Sequence, residues 1–369
     1  MSDKIGILTQ PLGHNYGGIL QAYALQEVLR RMGHTVETID FRKEPPHWRQ
    51  IASVIKGALL RRPLARPLRA KDRKSFTAHT EHFIHGHIAL SPRFTSKTAV
   101  KDYCDQQNYE VLIVGSDQVW REAYSPHLPT FFLDFLPAGS TTKRIAYAAS
   151  FGNRNPISPE MITQVRPFAQ RFDAISVREH SGIELAKKLF GVDAIEVLDP
   201  TMLLSGDDYK ALFASQSDDL AGNLFVYVLD RTEEKARFIR EEAEKRGLTP
   251  FELLPEERYL HEELFRSKKD PFELPPVELW LKSIAESDFV ITDSFHGTVF
   301  SIIFGKPFMT ITNNDRGADR FYSLQWALEP GAGNRQSGSL QILQGKENRR
   351  AIPESLIAES LQFLERALS

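Results

Sequence analysis

The chain has 369 residues, 41% of them hydrophobic and 25% charged, with 22 Gly and 21 Pro. That make-up is of a soluble globular protein of two or three domains and excludes a fibrous, collagen-like or disordered chain. A net charge of -2 excludes recruitment of nucleic acid by bulk charge. The lone cysteine, Cys104, excludes an intrachain disulfide or a Cys-rich metal site and fits a reducing compartment.

The first forty residues read as strand, helix, strand. Lys4–Leu8 is a short apolar run, and Pro11–Asn15 is a loop. From Gly18, apolar residues recur at helical spacing through Leu29 until Gly33, and Thr35–Ile39 is a second strand. This β-α-β order implies a parallel sheet covered by helices. Residues 42–74 differ: eleven Lys/Arg stand against Glu44 and Asp72, with seven Ile, Val and Leu interspersed, so the stretch is a basic amphipathic insert. Such a segment suits an anionic membrane surface, the plain alternative being a solvated helical insert with long basic side chains, and Pro63 and Pro67 break any single helix. His79, His82, His85 and His87 crowd the next segment with only Glu81 beside them, a spacing that fits no zinc site, and no metal is expected.

Buried strands are predicted at 111–115, 145–148, 174–177 and 195–198, with helices at about 158–171 and 180–189. A second α/β series follows: strands at 224–229, 250–254, 289–292 and 307–311, and helices at 232–246, 277–285 and 296–304, with a last helix at about 353–367. The fold class is therefore α/β, two facing Rossmann-like domains with the ligand cleft between them. The boundaries are drawn at 1–205 for the first domain, 206–345 for the second, and 346–369 for a helix packing back on the first. The N-terminus lacks the basic and apolar stretches of a signal peptide, and no apolar run reaches the ~18–20 residues of a membrane span, so a cytoplasmic location is expected.

Asp293-Ser294-Phe295-His296-Gly297-Thr298 is the strongest local signal, sitting where a strand gives way to a helix. Asp293 or Ser294 can cap that helix, whose free amides and dipole welcome an anion, and His296 in the first turn can give or take a proton beside it. Asn15-Tyr16-Gly17-Gly18 is the matching loop of the other half; its glycines let backbone approach a ligand, but it lacks the G-x-G-x-x-G spacing. Ser116 and Asp117 leave the strand at 111–115, where parallel sheets build their sites, and Asp117 can serve as a base or a sugar-hydroxyl ligand. Arg178 leaves another strand and suits bidentate binding of carboxylate or phosphate, the plain alternative being an Arg178–Glu179 surface pair. Lys306, Arg316 and Arg320 can add positive charge to one pocket.

In order along the chain, NYGGILQAYAL (Asn15–Leu25), VGSDQVW (Val114–Trp120), YAASFG (Tyr147–Gly152), SVRE with Ser181-Gly182, VLDPT (Val197–Thr201), DSFHGTVFSIIFGKPF (Asp293–Phe308) and RGADRF (Arg316–Phe321) resemble the polysaccharide pyruvyl transferase family. The resemblance implies a fold like that of the GT-B glycosyltransferases, and transfer of pyruvate from phosphoenolpyruvate to a sugar as a cyclic ketal. No cofactor is implied beyond phosphoenolpyruvate as co-substrate. By that analogy His296 and Asp117 are catalytic. Arg178, Ser294, Gly297, Thr298, Lys306, Arg316 and Arg320 bind the donor, while Asn15, Tyr16, Gly17, Gly18 and Ser116 face the acceptor. Where members of that family carry a basic residue just before the motif His, this chain has Phe295, so Lys306 or Arg316 substitutes, or the donor differs. The implied acceptor is a sugar of a bacterial surface polysaccharide, such as capsule or exopolysaccharide, or of its lipid-linked precursor, with the basic insert tethering the enzyme at the membrane. A nucleotide-sugar-dependent glycosyltransferase on the same fold is the alternative enzyme. A glycan-binding scaffold without turnover is the non-enzymatic one.

Overall fold

The computed structural model describes residues 2–42, 75–254, 273–312, 321, 323–324, 333–337, 340–345 and 352–369. The basic insert, apart from Arg42, lies outside the described residues, as do Arg316 and Arg320.

The first domain alternates β1 (Lys4–Leu8), α1 (Tyr16–Arg31) and β2 (Thr35–Thr38), then α2 (Ala78–His87), α3 (Lys97–Gln107) and β3 (Val111–Asp117). It continues through β4 (Lys143–Ala149), α4 (Pro159–Ala169), β5 (Ala174–Val177), α5 (His180–Phe190) and β6 (Ile195–Glu196). These strands form a parallel sheet in the order β2-β1-β3-β4-β5-β6. β1 and β3 read as near-continuous apolar runs because helices cover both faces of a parallel sheet. Gly33, at φ 93°, turns the chain from α1 into β2, a conformation glycine adopts without a steric penalty. β6 keeps only two residues of the predicted strand. It is the sheet edge, and the chain turns at once into a short 3-10 turn, Pro200–Leu203.

The second domain follows α6 (Gly206–Phe213). It consists of β7 (Leu224–Tyr227), α7 (Glu233–Arg246), β8 (Pro250–Phe251), α8 (Val277–Glu286), β9 (Phe289–Thr292), α9 (Phe295–Ile303), β10 (Phe308–Thr312), β11 (Gly333–Ser337) and β12 (Leu340–Gly345). Its sheet runs β11-β12-β10-β9-β7-β8, parallel from β8 to β10 and closed by an antiparallel β12–β11 pair that the sequence pattern did not predict. The last helix, α10 (Glu354–Leu368), lies against the first domain. Ser360 accepts the Leu198 amide at 3.0 Å, the Leu368 carbonyl accepts from Lys143 Nζ at 2.9 Å, and Phe363 meets Tyr147. Among the described residues no helix is long and apolar enough to cross a membrane.

The halves meet through aromatic side chains. Tyr16 of α1 stacks on Trp280 of α8 with centroids 5.5 Å apart, and its hydroxyl donates to the Pro275 carbonyl at 2.7 Å. Both rings are buried, and fully burying one such side chain contributes roughly 1.5–3 kcal/mol. Cys104 lies buried on α3. Burial, followed by the charges of Asp105 and Glu37, pushes its thiol up to about 12. It is expected to stay unmodified by a thiol reagent at mildly alkaline pH in the folded protein and to react once urea unfolds the chain.

Candidate active site

In each sheet the strand order reverses at one place, between β1 and β3 and between β7 and β9. Ligand crevices of open α/β sheets form at such points, outside the carboxyl ends of the strands. The carboxyl ends of these strands, with the loops and helix starts that follow them, carry Asn15–Gly18, Ser116–Asp117 and Asp293–His296, so topology explains why motifs far apart in sequence converge.

α9 starts where Ser294 caps it, Oγ accepting from the Gly297 amide at 3.4 Å. Asp293 does not cap. Its carboxylate accepts from the Leu229 and Asp230 amides and pairs with Lys235 Nζ at 2.7 Å, tying the loop after β7 to the start of the helix. Gly297 lies so close to β9 that a Cβ there would stand 2.4 Å from Thr292 Oγ1. These contacts fix the first turn of α9 and aim His296 across the domain interface.

His296 is buried, and its ring rests on Gly17 of the other domain, where a Cβ would stand 2.0 Å from Nδ1. Its Nε2 lies 3.6 Å from Asp199 Oδ2 and has no hydrogen-bond partner among the described residues. Asp199 is fully buried and receives many contacts. Oδ1 accepts from Thr201 amide and hydroxyl, while Oδ2 accepts from Arg178 at 2.8 Å and from Ser116 Oγ at 3.4 Å. Burial alone would raise its pKa, but His296 and Arg178 together hold it well below the usual carboxylate range. Arg178 also reaches Asp117 at 3.3 Å. Burial opposes its charge, and Asp199, Asp117 and Glu179 outweigh burial so that its pKa is raised. The result is one buried network, His296–Asp199–Arg178–Asp117, assembled from both domains. It offers an imidazole with one nitrogen unpartnered beside two carboxylates, the set that a reaction needing both an acid and a base requires.

Several sequence expectations are corrected. Arg178 does not present a free fork to a ligand: its terminal nitrogens hold Asp199 and Asp117, and the Phe295 ring stands 4.9 Å from its guanidinium carbon. Nor is Arg178–Glu179 a surface pair. Glu179 is buried and accepts from Ser150 Oγ and the Phe151 and Gly152 amides. Thr298 is buried inside α9, bonded to Thr310 and to the Ser294 carbonyl, so it does not face a donor. Lys306 lies beyond the far end of α9, whose last residue, Ile303, is about 10 Å along the axis from His296 at 1.5 Å per residue. Tyr16 is buried against Trp280, and Ser116 lies wholly inside, its amide held by Gln21 Oε1, so neither faces an acceptor. Gly18 is buried with its carbonyl accepting from Gln21, while Asn15 is exposed. Asp199 was missed as a site residue. The signal was an Asp-Pro pair leaving a strand, inside VLDPT.

The Gly17–His296 contact makes a direct prediction. Gly17→Ala drives a methyl group into the ring, and a displacement of about 1 Å at a catalytic group can cost on the order of a hundredfold in rate. The variant should fold with a loss of about 1–3 kcal/mol from overpacking. Turnover should fall far more than denaturant stability.

The family model for polysaccharide pyruvyl transferase matches residues 15–315, most of the chain. The chain belongs to the polysaccharide pyruvyl transferase family. No curated protein matches the chain. Among solved structures it is similar to UDP-GlcNAc 2-epimerase from Neisseria meningitidis bound to UDP-GlcNAc, at 8% identity over 99% of each chain with TM-score 0.47. It is also similar to UGT89C1 from Arabidopsis thaliana complexed with UDP, at 11% identity over 98% of this chain and 90% of that one with TM-score 0.45. At these identities and scores neither likeness bears on the chemistry of this pyruvyl transferase family member.

Proposed function

We propose that this chain transfers pyruvate from phosphoenolpyruvate to a sugar of a surface polysaccharide or its lipid-linked precursor, as a cyclic ketal. What supports the reading, beside the family, is His296 held by one domain within 3.6 Å of Asp199 in the other, with Asp117 joined to the same network through Arg178. The donor's anionic groups lie toward the first turn of α9, where Ser294 opens the helix, with Arg316 and Arg320 as further candidates. A sugar hydroxyl adds to C2 of phosphoenolpyruvate and gives its proton to Asp117, while His296 protonates the methylene carbon. The second hydroxyl then displaces phosphate from C2. Its proton returns to His296, and Asp117 hands its own to the departing phosphate. Asp199, 3.6 Å from His296 Nε2, keeps a negative charge beside the imidazole through both steps.

The test is phosphate release from phosphoenolpyruvate with a panel of sugar acceptors, together with thermal unfolding in phosphoenolpyruvate or in nucleotide sugars. A ligand at a hundredfold excess over Kd adds about 2.7 kcal/mol to stability. Stabilisation by phosphoenolpyruvate and acceptor-dependent phosphate release are expected. Stabilisation by a nucleotide sugar in their place moves the assignment to glycosyl transfer.

A further inference from the structure

A cavity of about 160 Å³ opens beside the Arg178–Asp199 pair, between the end of the first domain's sheet, the start of α9 and the C-terminal helix α10. Its apolar walls include Phe295, Leu324 and Leu356, and its polar lining includes Asp199, Glu196 and Glu359. Arg178, buried, also lines it, and Arg178 Nε has no hydrogen-bond partner among the described residues. A buried guanidinium N–H without an acceptor is costly and marks a place where a ligand oxygen is welcome.

The chemistry of the lining selects the occupant. Beyond the Arg178–Asp199 pair the lining adds two carboxylates, Glu196 and Glu359, and no further cation among the described residues, so an anion such as phosphoenolpyruvate is repelled. The volume is well below the roughly 300–1,000 Å³ of pockets that hold drug-sized ligands, so a nucleotide sugar does not fit. A single uncharged sugar ring matches it. Its hydroxyls donate to Glu196 and Glu359, one oxygen accepts from Arg178 Nε, and its C–H face lies on Phe295 and the leucines.

We propose that this cavity is the acceptor subsite, taking one neutral pyranose ring and rejecting acidic sugars, with Glu359 on α10 as the residue that enforces the rejection. The proposal rests on the transferase reading above and deepens it. The cavity is lined by Asp199, which stands 3.6 Å from His296 Nε2, and by Arg178, which reaches Asp117.

The test measures binding of methyl glucoside, methyl galactoside, methyl N-acetylglucosaminide and methyl glucuronide to the whole chain by calorimetry, without donor. At least one neutral glycoside should bind and the glucuronide should not. Leu356→Trp fills the cavity from a half-buried surface position and should weaken glycoside binding at least about tenfold, a change of 1.4 kcal/mol. The same variant should leave stabilisation by phosphoenolpyruvate unchanged. Glu359→Arg, at an exposed helix position, should admit the glucuronide. No binding by any neutral glycoside overturns the proposal, as does equal binding of neutral and acidic sugars or indifference to Leu356→Trp. If glycoside binding behaves as expected while phosphoenolpyruvate neither stabilises nor turns over, the donor assignment fails and the subsite stands.

Discussion

His296→Gln should lower kcat for phosphate release by about 10²–10⁴, the usual contribution of a positioned acid–base group. Stabilisation by phosphoenolpyruvate should survive, because the first turn of α9 is set by the Ser294 cap and by Asp293, neither of which bonds to His296. The substitution removes no hydrogen bond from Nε2, which has none among the described residues, so the fold should be kept. Melting temperature and kcat measured on the same preparation check this. A variant that keeps full turnover would remove His296 from the chemistry and leave it as a packing residue.

The largest expected effect on stability comes from Asp199→Asn. The carboxylate is the principal ionic partner of a buried guanidinium, and breaking a buried pair from one side costs about 3–5 kcal/mol. The pH dependence fixes the sign. His296 and Arg178 depress the folded-state pKa of Asp199 below its unfolded value, so its contribution is fully present above the unfolded value of about 3.9. That contribution is lost as pH falls through the folded-state value. The gap between wild type and Asp199→Asn should therefore be widest near neutrality and narrow only in strong acid. Urea unfolding of both proteins at the two extremes measures it. A gap that does not change with pH would mean that the loss comes from geometry and not from charge.

The regular part of the fold was legible because parallel strands buried on both faces are unbroken apolar runs, as in Val111–Val114 and Phe289–Ile291. The β11–β12 pair was not. Gly333–Ser337 is polar and sits at a sheet edge, where neither alternation nor an apolar run is demanded. In the site, His296 and Asp117 stood out because they leave strands in marked motifs, and the sheets bring their loops together. Lys306 was grouped with them through closeness in sequence, yet a nine-residue helix carries the chain away from the strand ends. Arg178 was read as a ligand clamp because a guanidinium at a strand end has that capacity. Its actual partners, Asp199 and Asp117, are 21 and 61 residues away and follow from the three-dimensional arrangement alone. Of the two caps the motif offered, Ser294 serves, while Asp293 is drawn to Lys235, 58 residues upstream.

The seating of His296 on Gly17 makes the buried network a joint property of the two domains. The imidazole belongs to one half of the molecule, and both carboxylates, with the arginine that couples them, belong to the other. Neither half by itself holds the imidazole and the carboxylates together. The buried network is complete only in the arrangement that seats His296 on Gly17.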